Sequence, residues 1–160
     1  MYVSVQRRMI GHGGLMLLVA MVAGVGLLIA LLGGLEWMPG AIFPIAVAGD
    51  PQTWVRIHIG GMLNAFLVFI VALLLPVLAF SEKASRRIAW VFIGTGWANT
   101  LFYWAGLAAS NRALTFGPNR FGPANLASAI GLAPALIFVV ISLIAVAALT
   151  FRAFAAPSSR

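Results

Sequence analysis

The chain contains no cysteine, and only three of its 160 residues are acidic. The absence of cysteine excludes disulfide bonds, thiolate metal sites and cysteine nucleophiles. The three carboxylates, Glu36, Asp50 and Glu82, all lie outside the long apolar runs, so a buried carboxylate pair for acid–base hydrolysis is excluded as well. The sequence also lacks a Ser-His-Asp set and a phosphate-binding glycine loop, which removes two further classes of enzyme.

Charged residues of either sign are scarce, at 8% of the chain, whereas 62% of the residues are hydrophobic. Soluble domains are roughly half apolar and about a quarter charged. A helix needs about 20 apolar residues to cross a bilayer, and four segments reach that length. We therefore predict an all-α integral membrane protein in which residues 1–160 form one bundle of four transmembrane helices. The predicted spans are residues 13–35, 55–80, 88–109 and 126–151.

The net charge of +7 is distributed as a topology signal and not as a nucleic-acid-binding patch. An even number of spans with both termini inside places most of the basic residues on one side of the membrane. These are Arg7, Arg8, Lys83, Arg86, Arg87, Arg152 and Arg160. Only Arg56, Arg112 and Arg120 fall on the other side. The positive-inside rule then predicts that both termini are cytoplasmic.

His58 is the most informative residue, because an ionisable side chain inside a predicted span is costly and marks a candidate functional site. The adjacent glycines, Gly60 and Gly61, remove side-chain bulk, so either another helix or a flat cofactor can approach the backbone. The alternative interpretation is structural: a histidine that hydrogen-bonds to a backbone carbonyl or to a neighbouring helix.

Three polar residues recur every four positions in the third span: Thr95, Asn99 and Tyr103. Each step of four rotates about 40° around a helix, so they form one slanted polar stripe. In the second span, Asn64 follows His58 by six residues and is therefore rotated from it by about 120°. The predicted topology puts His58, Asn64, Asn99 and Tyr103 at similar depth in the outer half of the bilayer. Hydrogen bonding between helices is the alternative role for these polar groups.

The second histidine, His12, precedes the first predicted span and is expected at the inner surface, roughly 25–30 Å from His58 at 1.5 Å per residue. The two cannot bind one metal within a single subunit. A loop at residues 111–123 contains Phe-Gly-Pro twice. Its two interpretations are a rigid pair of turns, or a lid whose arginines pair with cofactor carboxylates.

A zinc site needs several nitrogen or carboxylate ligands, and the single imidazole of His58 has no such partners. A single imidazole does suit one axial position of haem. The other axial position would stay open, which favours ligand binding or Lewis-acid chemistry. Two other classes of protein also fit the sequence. One is a haem electron carrier or sensor with a second axial ligand, and the other is a transporter or scaffold without a cofactor.

The chain resembles the styrene oxide isomerases of bacterial styrene catabolism, with similarity over nearly its whole length. The most specific match is the loop from Asn111-Arg112 through Leu114–Asn119 to Phe121-Gly122-Pro123. The other matching segments are Gly11-His12-Gly13, Trp54–His58, Leu63-Asn64, Gly96–Asn99, Phe102-Tyr103 and Leu132–Ala135.

The resemblance implies a four-span membrane enzyme of the bacterial inner membrane that forms a homotrimer and binds ferric haem b. It implies that the protein isomerises apolar aryl epoxides to aldehydes by a Meinwald rearrangement, for example styrene oxide to phenylacetaldehyde. The alternative is a haem-binding electron carrier or sensor without isomerase activity.

The resemblance also assigns roles to individual residues. His58 is implied as the axial metal ligand, with Gly61 beside the cofactor, while Asn64 and Tyr103 orient the epoxide oxygen. Asn99 and Thr95 complete the candidate catalytic set. The chain departs from the family pattern at Thr95, where the family has an aspartate, and the uncharged hydroxyl is expected to change rate or substrate range more than reaction type.

Overall fold

A computed structural model describes residues 2–155; Met1 and residues 156–160, among them the predicted inner basic residue Arg160, lie outside this range. The described chain contains four helices: α1 (Tyr2–Leu32), α2 (Pro51–Val77), α3 (Glu82–Ala105) and α4 (Leu126–Phe154). Two short strands, β1 (Gly34–Met38) and β2 (Ala41–Pro44), lie between α1 and α2. The prediction of four helices is thus confirmed.

Three of these helices are long and apolar enough to cross a membrane, namely α1, α2 and α4, which makes the chain a membrane protein. Within residues 2–155, α3 does not meet the same criterion. The reason is its composition: Glu82, Lys83, Arg86 and Arg87 crowd its first six residues, and polar Asn99 lies further along. It nevertheless packs against α1, α2 and α4. The crossing of α3 therefore stays a prediction.

The helix ends differ from the predicted spans because apolarity marks the membrane segment and not the whole helix. Helix α1 begins at Tyr2 and has 31 residues, so it is about 46 Å long at 1.5 Å per residue. His12 therefore lies well inside a helix and not before it. Pro76 and Pro134 lie inside α2 and α4, and α2 ends one residue after its proline.

The β-hairpin between α1 and α2 was not predicted, so the all-α prediction is incomplete. Strands β1 and β2 pair antiparallel, with Gly34 opposite Pro44 and Glu36 opposite Ile42. The turn is closed by the Glu36 carboxylate, which accepts a hydrogen bond of 2.6 Å from the Gly40 N–H. Gly40 has a φ of +81°, a conformation that glycine adopts without steric cost.

The buried core divides into two clusters along the bundle. The larger cluster, towards the chain termini, includes Met16 of α1, Ala65 and Val68 of α2, and Phe92 of α3. The smaller cluster joins Ala23 of α1 to two residues of α2. The polar residues of α2 that the sequence singled out lie between the two clusters, at the level where small residues let the helices approach closely.

Candidate active site

The imidazole of His58 is held by the neighbouring helix α1. Its Nδ1 lies 2.8 Å from the carbonyl oxygen of Ala20, and the side chain is half-buried. A carbonyl oxygen only accepts, so Nδ1 carries the proton and donates it. In the neutral ring Nε2 then keeps its lone pair, and a metal-binding histidine is commonly fixed in this way. The structural interpretation of His58 and the ligand interpretation are therefore compatible, because the two ring nitrogens have different tasks.

Two glycines make room for this arrangement. A Cβ atom added at Gly24 would lie 2.8 Å from His58 Cε1, so the ring occupies the space that a side chain would fill. A Cβ atom at Gly61 would lie 2.8 Å from the Ala20 Cβ, so Gly61 lets α1 approach α2. Gly61 was predicted to lie beside a cofactor; here it positions the residue that orients His58. Sequence reasoning missed Ala20 and Gly24, since neither has a side chain that signals chemistry.

Asn64 and Asn99 meet across the interface between α2 and α3. The Asn99 Nδ2 donates a hydrogen bond of 3.2 Å to the Asn64 Oδ1. Asn64 is only 7% exposed, and its own Nδ2 has no partner within residues 2–155. A buried amide donor without a partner costs free energy and calls for an explanation, for which a bound polar group is one candidate.

Tyr103 lies on the same side of α2 as Asn64. A Cβ atom added at Gly60 would lie 2.8 Å from the Tyr103 Cζ, so the tyrosine ring packs over this glycine. The ring is half-buried, and its hydroxyl has no hydrogen-bond partner in the described part of the chain. Gly60 and Gly61 thus serve different neighbours, α3 and α1 respectively. These contacts agree with the predicted common depth of His58, Asn64, Asn99 and Tyr103.

Thr95 is not joined to the pair formed by Asn64 and Asn99. It is buried, and its hydroxyl donates a hydrogen bond of 2.8 Å to the Val91 carbonyl one turn earlier in its own helix. This back-bond is the common way for a threonine inside a helix to satisfy its hydroxyl. The predicted polar stripe of Thr95, Asn99 and Tyr103 therefore contains one member that is already paired locally.

His58 and Tyr103 lie on different sides of α2. His58 contacts α1, whereas Tyr103 contacts Gly60, which is rotated from His58 by about 160° at 3.6 residues per turn. Within residues 2–155 no hydrogen bond or ring contact joins His58 to Asn64, Asn99 or Tyr103. One chain thus offers a ligand nitrogen on one side of α2 and hydrogen-bond donors on the other.

His12 has a separate environment. The Trp97 indole N–H donates to His12 Nδ1 at 3.1 Å, and the His12 and Trp90 rings lie 6.0 Å apart. His12 precedes Ala20 by eight residues, about 12 Å along α1, so its separation from His58 is smaller than the sequence predicted. The two rings still face different helices.

The loop between α3 and α4 is a set of turns held by buried amides. Asn111 is fully buried; its Nδ2 donates to the carbonyl oxygens of Thr115 at 2.8 Å and Gly117 at 3.1 Å. Its Oδ1 accepts a 2.6 Å hydrogen bond from the Ser128 hydroxyl at the start of α4. Arg112 lies 3.8 Å from the Asp50 carboxylate. These contacts agree with the rigid-turn interpretation.

The donor set fits haem better than a metal ion bound by several side chains. Within residues 2–155 there is no group of three or more His, Cys, Asp or Glu side chains that could hold an ion. Haem needs one axial side chain from the protein.

The fold and the site define a class: a small helical membrane protein with an imidazole held by a backbone carbonyl and a separate pair of hydrogen-bonded amides. Comparison with known proteins identifies it further. Residues 5–154 match the family described as styrene oxide isomerase. A protein named styrene-oxide isomerase from Pseudomonas fluorescens is 42% identical over 155 residues, which cover 97% of this chain and 92% of the relative. The chain belongs to the styrene oxide isomerase family and is an isomerase.

Proposed function

We propose that this isomerase converts styrene oxide and related aryl epoxides to aldehydes, with ferric haem b bound through His58. The product from styrene oxide is phenylacetaldehyde, which has the same atoms as the substrate. The substrate class is supported by the name of the Pseudomonas fluorescens relative. The observation that carries the cofactor assignment is the hydrogen bond from His58 Nδ1 to Ala20, because it leaves Nε2 available as an axial ligand.

The cofactor and the protein would have distinct tasks. When bound, ferric haem supplies an electron-poor iron, a Lewis acid that weakens a carbon–oxygen bond of the epoxide. His58 would hold the cofactor. Gly24 makes room for its imidazole, and Gly61 lets α1 approach α2.

The buried donors of α2 and α3 orient the epoxide oxygen in this proposal. Asn99 holds the Asn64 Oδ1, which turns the unpartnered Asn64 Nδ2–H away from that bond and makes it available to an oxygen acceptor. Tyr103 contributes a hydroxyl that has no hydrogen-bond partner among residues 2–155. Preorganised donors of this kind count for more in a water-poor site than in bulk water.

Exclusion of water determines the product. Opening of the benzylic carbon–oxygen bond leaves an electron-deficient carbon. A hydride, that is a hydrogen with its bonding electron pair, must then move to it from the neighbouring carbon, whose oxygen forms the C=O bond of the aldehyde. Water at that point would give a diol instead. A site within apolar helices suits the apolar substrate and restricts water.

Completion of the site by a second copy of the chain explains the separation of His58 from Tyr103 and Asn64. We propose a homotrimer in which His58 of one subunit and the donors of the next face the same cofactor. Rotational symmetry brings two different faces of a subunit into one interface, so residues on opposite sides of α2 can share a pocket.

The proposed location is the bacterial inner membrane, with four spans and cytoplasmic termini. The basic residues that line one end support this orientation. The Arg8 guanidinium lies 5.2 Å from the Trp90 ring centroid, and Arg152 donates to the Leu78 carbonyl, so the two ends of the chain and the start of α3 share that end.

One experiment tests the function: absorption spectroscopy of the purified protein with and without styrene oxide, followed by product analysis. We expect a haem spectrum that changes on addition of the epoxide, and phenylacetaldehyde as product. In His58→Ala the haem band should be lost or greatly weakened. A normal haem band in that variant would refute the ligand assignment, and a bis-histidine low-spin spectrum without product would favour the electron carrier.

A further inference from the structure

The basic side chains at the terminal end of the bundle differ in whether they are already paired. Arg86 forms an ion pair of 2.7 Å with Glu82. Arg8 stacks over Trp90, and Arg152 donates hydrogen bonds of 2.9 Å and 3.1 Å to the carbonyl oxygens of Leu78 and Ala79. The charge or the donors of these three arginines are therefore engaged within the fold.

Lys83 and Arg87 are not engaged in this way. Both are exposed, and within residues 2–155 neither has a hydrogen-bond or ion-pair partner. They are four residues apart in α3, so their side chains lie on one face of the helix, about 40° apart. The first two turns of α3 therefore present two adjacent, unneutralised cations.

This pair lines two clefts. A cleft of about 500 Å³ runs between α3 and α4 and is lined by Lys83, Arg87, Ile141 and Ile144 among others. A second cleft of about 850 Å³ is lined by Trp90 and Val91, by the ion-paired Glu82 and Arg86, and again by Lys83 and Arg87. Lys83, Arg87 and Val91 line both clefts. A row of two cations followed by a valine thus borders both clefts, and the one carboxylate in the lining, that of Glu82, is paired with Arg86.

We propose that this feature is a binding site for an anionic phospholipid, with the phosphodiester between Lys83 and Arg87 and one acyl chain in each cleft. Basic pockets between helices at the cytoplasmic side are typical sites for anionic lipid headgroups. The two cations fit a net negative headgroup, whereas the ammonium of a zwitterionic lipid would be repelled by them. The positive-inside rule alone would account for positive charge at this end of the bundle. It would not account for the two clefts beside that charge. The site does not depend on haem or on epoxide turnover.

The test uses the full-length protein in mild detergent, with phosphatidylglycerol, phosphatidylcholine or inorganic phosphate added. Bound lipid is counted by native mass spectrometry, and the unfolding temperature is measured in parallel. Phosphatidylglycerol should bind saturably and raise the unfolding temperature, whereas the other two probes should not. Equal effects of phosphatidylglycerol and phosphatidylcholine would overturn the proposal. An equal effect of inorganic phosphate would do the same, because it would assign the site to a free anion.

Two variants locate the site. Lys83→Gln with Arg87→Gln should weaken the apparent affinity for phosphatidylglycerol by about 30-fold, because each cation near the membrane contributes a factor of about five. The control, Arg7→Gln with Arg120→Gln, removes the same charge from positions outside both clefts and should bind normally. Unchanged binding in the first variant, or equal weakening in the control, would refute the assignment.

If the double variant does not fold, Ile144→Trp tests the same site without a change of charge. The larger side chain fills the cleft between α3 and α4 and should displace the lipid. Undiminished binding of phosphatidylglycerol would count against the proposal.

Discussion

The Nδ1 of His58 lies 2.8 Å from the carbonyl oxygen of Ala20, across the interface between α2 and α1. This contact determines which nitrogen of the only histidine on α2 is free to act as a ligand. It depends on two glycines, since Gly24 receives the imidazole and Gly61 receives Ala20. The orientation of the His58 imidazole therefore depends on the close approach of α1 to α2. Substitutions of these glycines should disturb that orientation although they remove no polar atom.

Gly24→Ala is expected to weaken haem retention by about tenfold or more, the usual cost of disturbing a group that orients a ligand. The new Cβ would lie 2.8 Å from His58 Cε1, so the imidazole must move away from Ala20. The haem content after purification is the measurement. Gly14→Ala is the matched control, because nothing lies within 4 Å of a Cβ atom at Gly14 of the same helix. Equal haem content in the two variants would contradict the proposed role of Gly24.

Tyr103→Phe should lower turnover by about 100-fold while the haem spectrum stays normal, as expected when one preorganised donor to a reacting oxygen is removed. The change removes only the hydroxyl and keeps the ring that packs over Gly60. Rates of aldehyde formation under saturating epoxide, together with the absorption spectrum, make the comparison. Unchanged turnover would remove Tyr103 from the catalytic set.

Asn99→Leu should reduce kcat by about tenfold, since it removes the hydrogen bond that sets the direction of the Asn64 amide. Asn99→Asp should be more damaging. An ionised carboxylate accepts and does not donate, so it would attract the Asn64 Nδ2–H and turn Oδ1 towards the substrate.

The control for this pair is Thr100→Val, whose buried hydroxyl donates to the Gly96 carbonyl at 2.7 Å within α3. Steady-state kinetics should place the loss in the Asn99 variants mainly in kcat and not in KM. A loss of the same size in Thr100→Val would indicate disturbed packing of α3 in place of a positioning role for Asn99.

Thr95→Val should change turnover by less than about threefold, because the Thr95 hydroxyl is already paired with the Val91 carbonyl of its own helix. The polar stripe of α3 and the family resemblance instead predict Thr95 as a member of the catalytic set. Turnover of the purified variant, normalised to haem content, distinguishes the two interpretations. A loss comparable to that of Tyr103→Phe would support a direct role for the hydroxyl.

The helices and the polar residues of the site were accessible from the sequence, because long apolar runs and buried polar side chains are rare and costly patterns. The similar depth of Asn64 and Asn99 was predicted from the topology, and the structure joins the two side chains by a hydrogen bond. The β-hairpin at residues 34–44 was missed, since its strands are short and carry no regular alternation. The start of α1 was missed because charged residues can continue a helix beyond the membrane.

The partners of the glycines were inaccessible to sequence reasoning for a physical reason. A glycine shows that something approaches the backbone closely, but not what approaches. Gly60 and Gly61 are adjacent, yet a Cβ at one would meet Tyr103 of α3 and at the other Ala20 of α1. The choice between a helix and a flat cofactor as neighbour depends on tertiary packing. The same limit applies to Ala20, whose contribution is a backbone carbonyl.

Mixed oligomers test whether the site is shared between subunits. His58→Ala and Tyr103→Phe are each expected to be nearly inactive when expressed alone. In a homotrimer with shared sites, each interface takes His58 from one subunit and Tyr103 from the next, so random mixing should restore about a quarter of the sites. The measurement is epoxide turnover per subunit in membranes that contain both variants, compared with a mixture of separately purified proteins. Restored activity only after co-expression would support the shared site. Absence of restoration, with mixed oligomers verified by two affinity tags, would place the ligand and the donors within one subunit and contradict the separation of His58 from Tyr103 across α2.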